Sequence, residues 1–183
     1  MSSGATRALA ALAATGLALG LASITWAASA PAQIDAQHPE SCAMQNGPGF
    51  LVKVDSLKDR SGRLVAQLYP AAPDDFLKGE DDLRREGKVF RRTITLPNPR
   101  GPSVVCIDAP GPGRFALVVI HDRDGKFKFD IWSDGLALIG NSRLGRRRPA
   151  VAEATVTATA TRQTLEMHMQ YMRGLSGFGP TTG

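Results

Sequence analysis

The sequence predicts an all-β protein, a sandwich of about seven short strands, and three observations carry that expectation. Apolar residues recur with period two in segments of five to nine residues; Gly/Pro-rich turns bound those segments; no long stretch of the mature chain has the 3.6-residue period of an amphipathic helix. At 183 residues the chain holds one ordinary domain, which excludes a multidomain enzyme. Its 43% hydrophobic and 21% charged content excludes an intrinsically disordered chain.

The segment ahead of the domain sets the expected compartment. Arg7 near the start, an apolar run from Ala8 to Ile24 and the small residues Ala28-Ser29-Ala30-Pro31-Ala32 have the order of a secretory signal peptide over 1–32. Cleavage is expected after Ala32 rather than Ala30, because Pro31 would otherwise occupy the first mature position. The Ala/Gly/Thr content and the lack of a following Lys/Arg cluster argue against a retained anchor, so the membrane is met only through this segment if it stays uncleaved. The protein is therefore expected in the periplasm or secreted. No Cys follows the segment directly, which disfavours a lipoprotein.

An irregular leader is expected over 33–48. Cys42 lies in it, and Cys106 lies in the strand-like run Val104-Val105-Cys106-Ile107. An exported chain with two cysteines is expected to oxidise them to one bridge. That bridge would close a loop of about 65 residues, for which chain entropy gives on the order of 4 kcal/mol.

The sandwich is expected over 49–173. Phe50, Val52 and Val54 alternate with Leu51, Lys53 and Asp55; Leu64, Ala66 and Leu68 alternate with Arg63, Val65, Gln67 and Tyr69; residues 50–69 thus read as a hairpin with a long loop. Pro70 and Pro73 end the second strand, since proline cannot donate to a ladder. The charged stretch from Pro73 to Gly87 reads as a solvated crossover with one or two short helical turns. Lys88 to Leu96 is the next expected strand. Ser103 to Asp108 and Gly113 to His121 are expected to pair, and the nearly continuous run Phe115 to Ile120 predicts a central strand covered on both faces. Val151 to Thr159 and Thr164 to Met172 close the sandwich, and 174–183 is expected as a disordered tail.

The runs Phe50-Leu51-Val52-Lys53-Val54, Gly62-Arg63-Leu64-Val65-Ala66-Gln67-Leu68-Tyr69, Phe76-Leu77 and Gly113-Arg114-Phe115-Ala116-Leu117-Val118-Val119-Ile120-His121-Asp122 resemble, in that order, an exported bacterial family, domain of unknown function 2141. The likeness covers about residues 50–172, and its most specific part is the run from Gly113 to Asp122. It implies an immunoglobulin-like or transthyretin-like sandwich in the periplasm or on the surface, without an established activity. After Asp122 the chain departs from the Asn/Gly-rich loop of the family, reading Arg123-Asp124-Gly125-Lys126-Phe127.

The loop after this strand holds the only candidate chemistry. His121, Asp122, Asp124 and Asp130 form a candidate binding loop, with the three aspartates at relative positions one, three and nine of a calcium loop. Lys126 and Lys128 stand at positions five and seven, where a cation would meet ammonium groups, and Gly125 falls at position four instead of six. The stretch reads instead as a tight Asp124-Gly125 turn leading into a strand in which Phe127, Phe129 and Ile131 alternate with Lys126, Lys128 and Asp130. No metal or cofactor is assigned. Ser133 and His121 lack the elbow motif of a nucleophile, so no catalytic residue is assigned.

Arg143, Arg146, Arg147 and Arg148 are the densest basic run, a candidate contact for an anion. The formal charge of +5 favours anionic partners, and export removes the chain from nucleic acid. The expected function is that of a non-enzymatic binding or structural module of the cell envelope with an unknown, anionic envelope partner. The alternative is a small envelope enzyme or metal-binding domain centred on the His121 to Asp130 loop.

Overall fold

Ten strands and two short helices build two facing sheets in the structure, a computed structural model that describes residues 46–140 and 143–180. The expected signal peptide, most of the leader and Cys42 lie outside the described residues. In chain order the elements are β1 (Gly49–Asp55), β2 (Arg63–Pro70), α1 (Glu80–Arg85), β3 (Arg91–Thr95), β4 (Ser103–Asp108) and β5 (Gly113–Asp122). There follow β6 (Gly135–Leu138), α2 (Val151–Ala154), β7 (Thr155–Ala158), β8 (Arg162–His168), β9 (Gln170–Met172) and β10 (Phe178–Pro180).

The smaller sheet has the order β4-β1-β8, with β1 antiparallel to β4 and parallel to β8. The larger runs β10-β9-β6-β5-β2-β3, and the edge of β5 away from β2 is shared by β6 and β7. Between the sheets lie Phe50, Val52 and Val54 of β1, Val105 and Ile107 of β4, Leu64, Ala66 and Leu68 of β2, and Leu117 and Val119 of β5. The β1 and β2 sets are the inward ones that the alternation predicts.

A second, smaller core covers part of the outer face of the larger sheet. Phe76 and Leu83 from the crossover, with Phe90 ahead of β3, pack on Tyr69 and Val118. Tyr69 meets Phe76 and Phe90 edge-on, with ring centroids 5.9 and 5.2 Å apart. This third layer explains the unbroken apolar run of β5. It also buries Tyr69, and Val65 of the same face is buried too, so β2 is covered on both faces as well and β5 is not unique in this.

Several expectations about pairing are corrected. The seven expected strands become ten. β1 and β2 form no hairpin, and β4 and β5 do not pair, because in each case the chain crosses from one sheet to the other between them. The third strand is shortened to Arg91–Thr95, leaving Leu96 exposed. Val151 begins a helical turn, which Glu153 closes by accepting the Ala150 N–H at 2.8 Å, before β7 starts at Thr155. The alternating run Leu165, Met167, Met169, Tyr171 is split between sheets: β8 pairs with β1, the chain steps across at Met169, and β9 pairs with β6. The expected tail is ordered through Pro180, since Phe178–Pro180 pairs with Gln170–Met172.

The expected strand after Asp124-Gly125 is absent, and residues 126–133 form an irregular loop. Phe127, Phe129 and Ile131 are 54%, 42% and 44% exposed there, so their alternation does not reflect a buried strand face.

Candidate functional site

The end of β5 places its two candidate residues on opposite faces of the larger sheet. His121 points into the sandwich and is fully buried. Its Nε2–H donates to the Ser61 carbonyl at 2.8 Å, while Nδ1 accepts from the Tyr171 hydroxyl at 2.6 Å. That hydroxyl in turn accepts the Lys58 N–H at 3.0 Å. With one ring nitrogen donating and the other accepting, the imidazole is held neutral. Burial lowers the His121 pKa below 6.5, outweighing the opposing effect of the Ser61 carbonyl, and it pushes Tyr171 up to about 12. The chain of bonds depends on Gly135. His121, Gly135 and Tyr171 are lateral neighbours on β5, β6 and β9, and a Cβ on Gly135 would stand 2.6 Å from the Tyr171 ring and 2.7 Å from Met169. Gly135→Ala is therefore expected to displace Tyr171 and cost about 2 kcal/mol in a denaturant titration; an unchanged midpoint would show that the ring shifts freely.

Asp122 faces the other way and is also buried. Its Oδ2 accepts from Arg63 Nε at 2.8 Å and from the Phe127 N–H at 3.1 Å; its Oδ1 has no hydrogen-bond partner among the described residues. Arg63, the cross-strand partner of Asp122, also bonds the Gly125 carbonyl and stacks over the Phe127 ring at 3.1 Å. Gly62 is required just before it: with φ at +65°, a side chain there would collide with the Asp122 carbonyl.

Asp124 closes a turn by accepting the Lys126 N–H at 3.0 Å, and its other oxygen pairs with Lys126 Nζ at 2.7 Å. That lysine holds the Asp124 carboxyl below its usual range. Asp130 accepts the Trp132 N–H at 2.9 Å and is likewise a turn residue. The residue that organises the loop is Asp134, which sequence reasoning missed. It is buried just ahead of β6 and accepts from the Arg123 N–H at 3.1 Å, the Asp130 N–H at 2.9 Å and Ser133 Oγ at 3.2 Å. Its one signal in the sequence is its place before the small-residue start of a strand, which does not single it out.

The carboxylates brought together are thus Asp122, Asp124 and Asp134, one oxygen of each lying within 4.8 Å of the others, without Asp130 or His121. Arg63 and Lys126 already supply positive charge to this group. Millimolar Ca²⁺ is accordingly expected to leave the melting temperature unchanged, since only a ligand that prefers the folded state raises it. A saturable upward shift would assign the three carboxylates to a cation.

Beside this loop the outer face of the larger sheet is left partly open as a groove of about 570 Å³. Its floor is Tyr69, Ile120, Leu136, Met172 and Phe178, contributed by five adjacent strands. Phe127, Phe129 and Ile131 form one wall, and Phe129 stacks on Phe178 with ring centroids 6.1 Å apart. The other wall is the segment from Leu144 to Pro149 with Leu77. Three of the four candidate arginines reach it: Arg146, Arg147 and Arg148. Arg147 makes two 2.6 Å bonds to the Glu153 carboxylate, and Arg148 Nη2 donates to the Phe76 carbonyl at 2.8 Å. Arg146 is exposed at the rim. Arg143 does not line the groove and stands instead about 3.5 Å from the position of a Cβ on Gly179 in β10.

The family described as uncharacterized protein conserved in bacteria, domain of unknown function 2141, matches residues 52–166. No curated protein and no solved structure matches the chain.

Proposed function

The chain belongs to the bacterial family of domain of unknown function 2141, and from that premise we propose that it is an exported, non-enzymatic binding module of the cell envelope that holds its ligand in the groove on the larger sheet. The observation that carries this reading is the groove itself. It is concave, walled by exposed aromatic side chains and of a size that suits a small molecule, about 300–1,000 Å³. In a secreted domain, an apolar surface left open beside a well-filled core has a use in binding. His121 of the candidate loop is meanwhile committed to the fold, since both its ring nitrogens are engaged.

Binding is tested with the mature protein and Nile red, a neutral dye that brightens in apolar surroundings. The dye is expected to bind saturably, and Met172→Trp, which fills the floor, is expected to weaken it while keeping the melting temperature within a few degrees. Phe129→Ala removes part of the exposed wall and should weaken it too. Equal binding by all three proteins would place the dye elsewhere and overturn the reading.

Export and oxidation belong to the same proposal. Cell fractionation is expected to recover the protein from the periplasm or medium, with Gln33 as its first residue. Cys106 lies buried on β4 opposite Leu51, and its proposed bond to Cys42 would tie the leader to the smaller sheet. Thiol labelling of denatured, unreduced protein should find no free Cys; two would refute the bridge.

The second reading, a metal-binding or enzymatic loop, draws on the proximity of Asp122, Asp124 and Asp134. The calcium titration above separates it from the first.

A further inference from the structure

Resting on the groove as the binding surface, we propose that its ligand is a single-chain amphiphile with an oxyanion head, of the long-chain fatty acid type, whose chain lies across the sheet and whose head meets Arg146 and Arg148.

The shape argues for a chain. The floor residues come from β2, β5, β6, β9 and β10, which are successive neighbours, so the trough crosses four interstrand steps of about 4.8 Å, on the order of 19 Å. Along that course the lining is apolar: Phe127, Phe129 and Ile131 are exposed on the wall, and the more buried Leu136, Met172 and Phe178 lie on the floor. A polar glycan or an acidic peptide would strand its hydroxyls or amides against this surface. Each buried methylene of an alkyl chain instead contributes about 0.8 kcal/mol.

The charge argues for an anion at one side. Among the described residues lining the groove are three arginines and no carboxylate. Arg147 has its charge met by Glu153 of α2. The bond from Arg148 to the Phe76 carbonyl leaves its charge uncompensated and holds the guanidinium in place, with donors remaining for a ligand. Arg146 forms no ion pair among the described residues. Two guanidinium groups at the lip of an apolar trough fit a carboxylate or phosphate by forked hydrogen bonds. The recess favours one free chain over a bilayer surface, because its apolar floor lies between two walls and a flat lipid surface would touch only the rim.

The experiment displaces Nile red from the mature protein with monomeric laurate, with dodecanol as the neutral match, and with phosphatidylglycerol vesicles. Laurate is expected to displace the dye at about tenfold lower concentration than dodecanol, the difference that one charged hydrogen-bonded contact makes. Arg146→Glu is expected to abolish that preference, read as the ratio of the two displacing concentrations within the variant, and Arg148→Gln to reduce it. Equal displacement by laurate and dodecanol would overturn the anion and leave the groove standing. Displacement by vesicles alone would overturn the single chain in favour of a lipid surface. Failure of the dye itself to bind would remove both the groove reading and this one.

Discussion

Truncating Leu117 to alanine is expected to cost about 2 to 4 kcal/mol, and Val119 to alanine about 2 kcal/mol. Both side chains are fully buried between the sheets, Leu117 beside Leu68 and Val119 between Ala66 and Ala137 on the neighbouring strands. A cavity there cannot be closed by moving one element, because β5 is hydrogen-bonded to β2 along one edge and to β6 and β7 along the other. The loss is large against the roughly 5–15 kcal/mol that a domain of this size has in total. Lys126→Ala and Arg147→Ala remove exposed side chains, and each is expected to leave the midpoint nearly unchanged. Denaturant midpoints of the four variants decide the matter. Near-equal midpoints would mean that β5 is not the strand on which the sandwich depends, and the groove, whose floor includes Ile120 of the same strand, would lose its rigid base.

The second large effect is expected at His121. His121→Ala should cost about 3 kcal/mol, combining a cavity with the loss of partners for the Tyr171 hydroxyl and the Ser61 carbonyl. The parent protein should also lose stability on acidification. Burial lowers the His121 pKa in the folded state, so below pH 6.5 the unfolded chain takes up a proton that the folded one resists. Stability from this group is therefore complete above 6.5 and declines as pH falls from there towards the folded-state value. A melting-temperature series from pH 8 to 5 should show that decline in the parent and a flatter profile in His121→Gln. Parallel profiles would show that His121 does not titrate differently in the two states. A separate loss is expected at lower pH, where Asp59, held at about 2 by its hydrogen bond with Arg123, gives up its contribution between about 4 and 2.

The inward faces of the strands were legible because alternation is a local property. Phe50, Val52 and Val54, or Leu64, Ala66 and Leu68, are recognisable without knowing what they meet. The same logic misleads at Phe127, Phe129 and Ile131, which alternate as a strand would. Here Asp122, Asp134 and Arg63 take the local amides and carbonyls, so the segment stays a loop and turns its apolar side chains to the groove. Alternation alone cannot distinguish a buried face from a wall that awaits a ligand.

The sequence by itself determined that the chain is an all-β sandwich with β5 at its centre, and it marked Arg146, Arg147 and Arg148 as a cationic run. It did so because side-chain periodicity, turn-forming Gly and Pro and charge density are written within a few consecutive residues. Only the tertiary structure decided the rest: that consecutive strands lie in opposite sheets, that His121 is spent on Tyr171 and Ser61 while Asp134 joins Asp122 and Asp124, and that the arginines border an apolar groove. Most of these are meetings of residues far apart in the chain, such as His121 with Tyr171 or Arg148 with Phe76, and the free energy that selects such partners belongs to packing and hydrogen bonding across the sheets, which no local window of sequence contains.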